Sequence, residues 1–142
     1  MDEPLASGSA RHVLELHRQA AITRSADDMA RLYAVDAVHE FPFTRPGVPS
    51  RLEGREAILE FVIGSWRDLP LKYERYHTLS ILDTTEPNTI VVEQEAIGKD
   101  RAGRAFTLPN IVVLTVRGGQ IAHLRDYVNL IAVAEAVGTA DS

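Results

Sequence analysis

Apolar residues recur at helical spacing over the first half of the chain and at strand spacing after Leu71. Between Ala10 and Thr23 the positions Val13, Leu14, Ala20 and Ala21, with Leu16 and His17, follow a helical repeat. Ser25 is placed to cap a second helix. Asp27 and Asp28 fall in its first turn, where exposed N–H groups favour negative charge, and Met29, Leu32 and Tyr33 form its apolar face. Val38 to Phe43 alternates weakly and runs into Pro46-Gly47-Val48-Pro49, which predicts a short strand and then a loop. Glu53-Gly54-Arg55-Glu56 opens a third helix, with Ile58, Leu59, Phe61, Val62 and Trp66 on its buried side and Pro70 as its stop.

Leu71–Leu82, Thr89–Ile97, Ala105–Val116 and Gln120–Val128 are β-rich runs. Turn signals separate them: Glu86-Pro87-Asn88, the stretch from Lys99 to Gly103, and Gly118-Gly119. Ile131–Val137 reads as a short apolar helical turn that stops at Gly138. Helices followed by a four-strand meander predict an α+β fold, with three N-terminal helices gathered on one side of a sheet. Residues 1–9 read as a flexible lead-in, 10–138 as a single domain and 139–142 as a tail, with no repeat or linker.

Alternate side chains of a strand point to opposite faces, so parity separates pocket from surface. Leu124, Asp126 and Val128 share one face of the last strand, and His123 and Tyr127 share the other. Leu108, Asn110, Val112 and Leu114 share a face of the strand before it, opposite Ile111 and Val113. Gln94 lies with Ile90, Val92 and Ala96, leaving Glu93 and Glu95 for outward ion pairs. In the first strand His39, Phe41 and Phe43 alternate with Glu40 and Pro42. If each inward set is the more apolar one, the concave side collects His39, Gln94, Asn110 and Asp126. A few polar groups in an apolar wall are the usual constitution of a small-molecule site. Burial there raises a carboxyl's pKa, and a nearby imidazole sharing its proton makes Asp126 and His39 an acid–base pair. Asn110 and Gln94 can hold a substrate oxygen or a water. The bland alternative is that Asp126 pairs with Arg125 or Arg75 at a rim and that His39 is a satisfied core histidine.

Composition narrows the picture. The 142 residues make one domain, 45% hydrophobic and 25% charged, with 15 Lys and Arg against 20 Asp and Glu, a formal net charge of -5. No basic cluster offers the cationic footprint of a nucleic-acid binder. Cysteine is absent, which removes disulfides and thiolate chemistry. The acidic start Met1-Asp2-Glu3-Pro4 lacks the pattern of a signal peptide, and no apolar run reaches the ~20 residues of a membrane span, so a soluble cytoplasmic protein is expected. His12 and His17 lack companions at metal-ligand spacing and no Gly-rich phosphate loop follows a strand. No metal and no cofactor is therefore expected.

Phe41-Pro42-Phe43, then Gly54-Arg55-Glu56-Ala57-Ile58, and the closing Ile121-Ala122-His123-Leu124-Arg125-Asp126-Tyr127-Val128-Asn129-Leu130 resemble the NTF2-like superfamily. The nearest branches are the SnoaL-like proteins and the limonene epoxide hydrolases, and the likeness spans residues 10–137. It implies a cone in which the helices pack on a curved antiparallel sheet enclosing a pocket. It also implies isomerase, cyclase, dehydratase, hydrolase or non-catalytic members. Arg125-Asp126-Tyr127 matches the Arg-Asp-Tyr that carries a catalytic aspartate in the epoxide hydrolases. Their second motif, Arg-x-Asp, falls on Gln94-Glu95-Ala96, and their water-holding Tyr and Asn fall near His39 and Phe41. Ketosteroid isomerases set their base just before a Pro of the first strand, where this chain has Phe41. SnoaL-like cyclases are similar in using an acidic residue as acid/base, which here is Asp126 beside His39.

Together these readings predict a cofactor-free acid/base enzyme on a hydrophobic oxygenated small molecule, with Asp126 as general acid/base assisted by His39. Asn110, Gln94, Phe41, Phe43, Trp66, Tyr33, Leu108, Val112, Leu124 and Val128 are the expected substrate contacts. A non-catalytic binding or assembly module on the same pocket is the alternative, and epoxide hydrolysis the third. The apolar Val91, Ile111 and Val113 on the outer face of the sheet predict a homodimer through that face.

Overall fold

A computed structural model describes residues 8–141. The elements in chain order are α1 (Ala10–Thr23), α2 (Ala26–Leu32), β1 (Tyr33–Glu40), β2 (Arg51–Glu53), α3 (Arg55–Asp68), β3 (Leu71–Asp83), β4 (Thr89–Asp100), β5 (Ala105–Arg117), β6 (Gln120–Val128) and α4 (Leu130–Asp141). Side-chain hydroxyls start the first two helices: Ser9 accepts from the His12 N–H and Ser25 from the Asp28 N–H, each at 3.1 Å. Arg24 closes α1 in the left-handed conformation, at φ 54°. Its guanidinium donates to the carbonyls of Trp66 (3.1 Å) and Leu71 (2.6 Å), tying the end of α1 to the start of β3.

The six strands form one curved sheet in the order β2-β1-β6-β5-β4-β3. The last four make the expected antiparallel meander, but β1 lies parallel to β6, so the sheet is mixed. The hairpin to β2 and the crossover through α3 set the direction of β3. Three reversals later β6 arrives beside β1 running the same way. Val13, Leu14, Met29 and Ile58 from the helices meet Val92, Leu114 and Ile121 from the concave face in the main core.

Three expectations change. Tyr33 is the first residue of β1 and not a member of α2, because its carbonyl accepts from Arg55 Nε at 2.8 Å and from Gln120 Nε2 at 3.4 Å. A bulge between Tyr33 and Val38 then resets the inward parity of β1. The strand ends at Glu40, so the alternation that placed Phe43 inside does not reach it. Phe43 is 63% exposed and stands edge-on to Tyr127 on the outer side. The C-terminal turn is a full helix that continues through Gly138 to Asp141, so residues 139–141 are not a loose tail. Asn129 caps it through the Ala132 N–H, and Ala132, Val133, Ala136 and Val137 pack on a second core of Leu71, Ala96, Phe106 and Leu108. This docking outweighs the roughly 1 kcal/mol that a mid-helix glycine costs. The lead-in expected at 1–9 lies outside the described residues for residues 1–7.

On the outer face Glu95 pairs with His77 Nδ1 at 2.9 Å, Glu93 accepts from Ser80 at 2.6 Å, and Glu40 pairs with His123. Ile111, Leu79 and Leu82 stay exposed there. Among the described residues no helix is long and apolar enough to cross a membrane.

Candidate active site

The concave sheet, α1, α3, the start of α4 and the loop after β1 enclose a cavity of about 870 Å³. Asp126 stands on its β6 wall between Leu124 and Val128, opposite Val112 of β5. Asn110, one step along β5, donates from Nδ2 to the Asp126 carboxylate at 2.8 Å. Burial raises the Asp126 pKa from 3.8 to about 6, with the Asn110 hydrogen bond opposing the rise. Desolvation outweighs the amide because one neutral donor replaces a full shell of water. No arginine bonds Asp126 among the described residues, so the rim ion pair with Arg125 or Arg75 does not form.

Gln94, buried on β4, reaches the same wall, but its carbonyl oxygen is already committed. Arg18 of α1 donates to it from Nε at 3.0 Å and from Nη2 at 2.7 Å. Arg18 also donates to Thr78 at 2.8 Å and lies over the Tyr76 ring, 5.3 Å from its centroid. Burial lowers the pKa of this guanidinium. Only the amide end of Gln94 is left to meet a ligand.

His39 is buried beside Phe41 in the wall, with ring centroids 4.8 Å apart. Its Nδ1 lies 3.5 Å from the Tyr33 hydroxyl, which lies 3.3 Å from His17 Nε2. Burial, then the neighbouring His17 and His123, lowers the His39 pKa to about 3, and burial lowers His17 to about 4. Both imidazoles are therefore neutral near pH 7. His39 faces Leu124 across the parallel pair, two residues short of Asp126, and no hydrogen bond joins it to Asp126 among the described residues. The direct sharing of a proton expected between the two therefore has no hydrogen bond to carry it among the described residues. Tyr33 is fully buried behind the wall and braces His39 instead of contacting the cavity, and burial raises its pKa.

Trp66 of α3, with Phe41, Leu108, Val112, Leu124 and Val128, completes the apolar wall as expected. Phe43 is not part of it. The sequence reading missed His17, Tyr73 and Tyr76, all of which line the cavity. His17 had a signal, since it shares a helical face with Leu14 and Ala21. The tyrosines had none. A bulge between Tyr73 and Arg75 brings two residues of opposite parity to one side of β3. Burial, then the Asp126 charge, pushes Tyr73 up to about 12, while burial, then the facing Tyr73, raises Tyr76 further, so both keep their protons. Among the described residues no group of three or more His, Asp or Glu gathers to hold a metal.

A desolvated carboxyl titrating near neutrality, one amide donor on it, and neutral imidazole and phenol groups in an aromatic wall can accept, store and return a proton. Comparison with known proteins agrees with that fold. The SnoaL-like domain model matches residues 13–124. The uncharacterized protein YesE of Bacillus subtilis is 30% identical over 110 residues, covering 75% of this chain and 72% of that one. The crystal structure of a candidate isomerase from Bacillus subtilis superposes with a TM-score of 0.82 at 25% identity, covering 91% and 92% of the two chains. That of a Delta 5-3-ketosteroid isomerase from Mycobacterium superposes at 0.71 with 18% identity, covering 89% and 97%, which shares the NTF2-like fold alone.

Proposed function

This chain belongs to the SnoaL-like domain family, and we propose that its cavity is the site of a cofactor-free acid–base enzyme acting on a hydrophobic, oxygenated small molecule. Asp126 is the proton-transfer group. The observation that carries this reading is a carboxyl held in an apolar wall by a single amide, with its pKa raised to about 6. At pH 7 it is ionised yet poorly solvated, which suits a general base. It takes a proton from a carbon next to a substrate carbonyl. The C–H electron pair moves toward the carbonyl oxygen; the same carboxyl then returns the proton at another carbon, giving an isomerisation, or the carbanion carbon bonds to a second carbonyl carbon of the substrate whose oxygen takes the proton, giving a ring closure. The free amide end of Gln94 and the Tyr73 and Tyr76 hydroxyls are donors on the same wall for the developing oxyanion. A likeness to isomerases supports this class of reaction by analogy.

Replacing Asp126 with Asn keeps shape and volume and removes the titrating group. Turnover is expected to fall about 10²–10⁴-fold with the circular dichroism spectrum unchanged. Full activity in D126N ends the acid–base reading. Saturable binding with no product in either protein moves the assignment to a binding module. The exposed Ile111, with Val91 and Val113, supports a second copy of the chain covering the outer sheet face.

A further inference from the structure

A second hollow, of about 310 Å³, lies against the cavity and shares Arg24, Trp66, Leu69 and Leu71 with its wall. Leu69 borders both and is 36% exposed, which puts an apolar rim open to solvent between them. The rest of the hollow carries the chain's only two lysines, Lys72 and Lys99, together with Arg101. In a protein of net charge -5, the fold thus gathers four cations from the end of α1, from β3, from β4 and from the turn after it. Lys72, Lys99 and Arg101 are exposed, so an anion reaches them directly from solvent.

Three features of the hollow favour an anion. Lys72 and Lys99 are direct partners across the β3–β4 pair, where like charges oppose the pairing. Arg24 is the one residue other than glycine with a positive φ among the described residues, at a helix end where glycine is the usual choice. Its guanidinium is held by the carbonyls of Trp66 and Leu71, so its position is fixed while its charge meets no carboxylate. The nearby acids are already engaged. Asp68 pairs with Arg67 at 3.0 Å, and Asp100 accepts from the backbone N–H groups of Ala102 and Arg104 at 2.9 Å each. No carboxylate pairs with Lys72, Lys99 or Arg101 among the described residues. A cleft lined by one sign of charge concentrates counter-ions. We infer that the hollow takes the anionic head group, a phosphate or a carboxylate, of a ligand whose apolar body crosses the Leu69 rim into the cavity. Arg24 is the fixed contact, and the lysines and Arg101 supply the surrounding charge. This deepens the proposed function and rests on it only for calling the ligand a substrate.

The test uses the full chain and the fluorescence of Trp66, the only tryptophan, which borders both hollows. Decyl phosphate and decanoate are compared with 1-decanol, which has the same alkyl length and no charge. Both anions are expected to bind about tenfold more tightly than the alcohol at about 0.02 M salt, an advantage that shrinks at about 0.5 M. The triple variant K72Q/K99Q/R101Q is expected to bring anions and alcohol within about twofold of each other. Inorganic phosphate alone separates a head group from a free ion: lacking the apolar body, it is expected to bind at least about tenfold more weakly than decyl phosphate. If the triple variant fails to fold, K99Q/R101Q and the salt series decide. Anions that bind no more tightly than 1-decanol, an advantage that survives the variant or is unmoved by salt, or inorganic phosphate that binds as tightly as decyl phosphate overturns the inference. None of these readouts needs turnover. An active D126N would end the acid–base reading and leave this one standing.

Discussion

Asp126 makes stability depend on pH in a direction opposite to that of most carboxylates. In the unfolded chain it gives up its proton near pH 3.8, and in the cavity wall near pH 6. Between those values the folded state binds more protons than the unfolded one, so stability falls as pH rises through the window. The gap corresponds to about 3 kcal/mol, fully present below about pH 4 and gone above about pH 6. Asp126→Asn is neutral throughout and lacks this dependence. Urea unfolding of both proteins at pH 4, 5, 6 and 7 gives the difference directly, because other titrating groups cancel between them. D126N is expected to gain about 2.4 kcal/mol on the wild type between pH 4 and pH 7, the rest of the ~3 kcal/mol lying below pH 4. A flat difference would mean a solvated carboxylate. A gain of opposite sign would mean an ion-paired one, and either would refute the desolvation argument. Asn110→Ala removes the hydrogen bond that opposes the rise, and the carboxyl midpoint followed by ¹³C NMR is expected to climb by about one pH unit further.

Other consequences follow from packing. A Cβ on Gly98 would sit 1.9 Å from the Lys72 carbonyl oxygen, a backbone atom of the neighbouring strand. Gly98→Ala is expected to cost about 1–3 kcal/mol or more in urea unfolding, from overpacking, and an unchanged midpoint would contradict that contact. Arg18→Met strands the Gln94 carbonyl and is expected to lower stability by about 2–3 kcal/mol, with Arg18→Lys recovering only part of it because one ammonium cannot reproduce the paired guanidinium bonds. Sedimentation at micromolar concentration is expected to show a dimer that Ile111→Lys dissociates. A wild-type monomer would contradict the outer-face proposal.

Much of the site was legible because parity needs only a regular strand. Gln94, Asn110 and Asp126 sit on the regularly paired stretches of β4, β5 and β6, and alternation alone sends them to one face. The cap of α2 by Ser25, the stop of α3 before Pro70 and the Gly118-Gly119 turn are equally local, set by residues a few positions apart.

What was not legible depends on long-range contacts. The bulge in β3 reverses parity at a single residue, which is why Tyr73 and Tyr76 share the cavity wall, and β1 ends at Glu40, which is why Phe43 does not join them. The parallel pairing of β1 with β6 places His39 beside Leu124, short of Asp126. The His17–Tyr33–His39 chain joins a helix to a strand through side chains alone. By itself the chain of residues determined the helices, the meander and the carboxyl on an apolar face, because periodicity and caps are local. Only the tertiary structure decided which polar groups meet, because a bulge, a crossover and a buried hydrogen bond are fixed by partners distant in sequence.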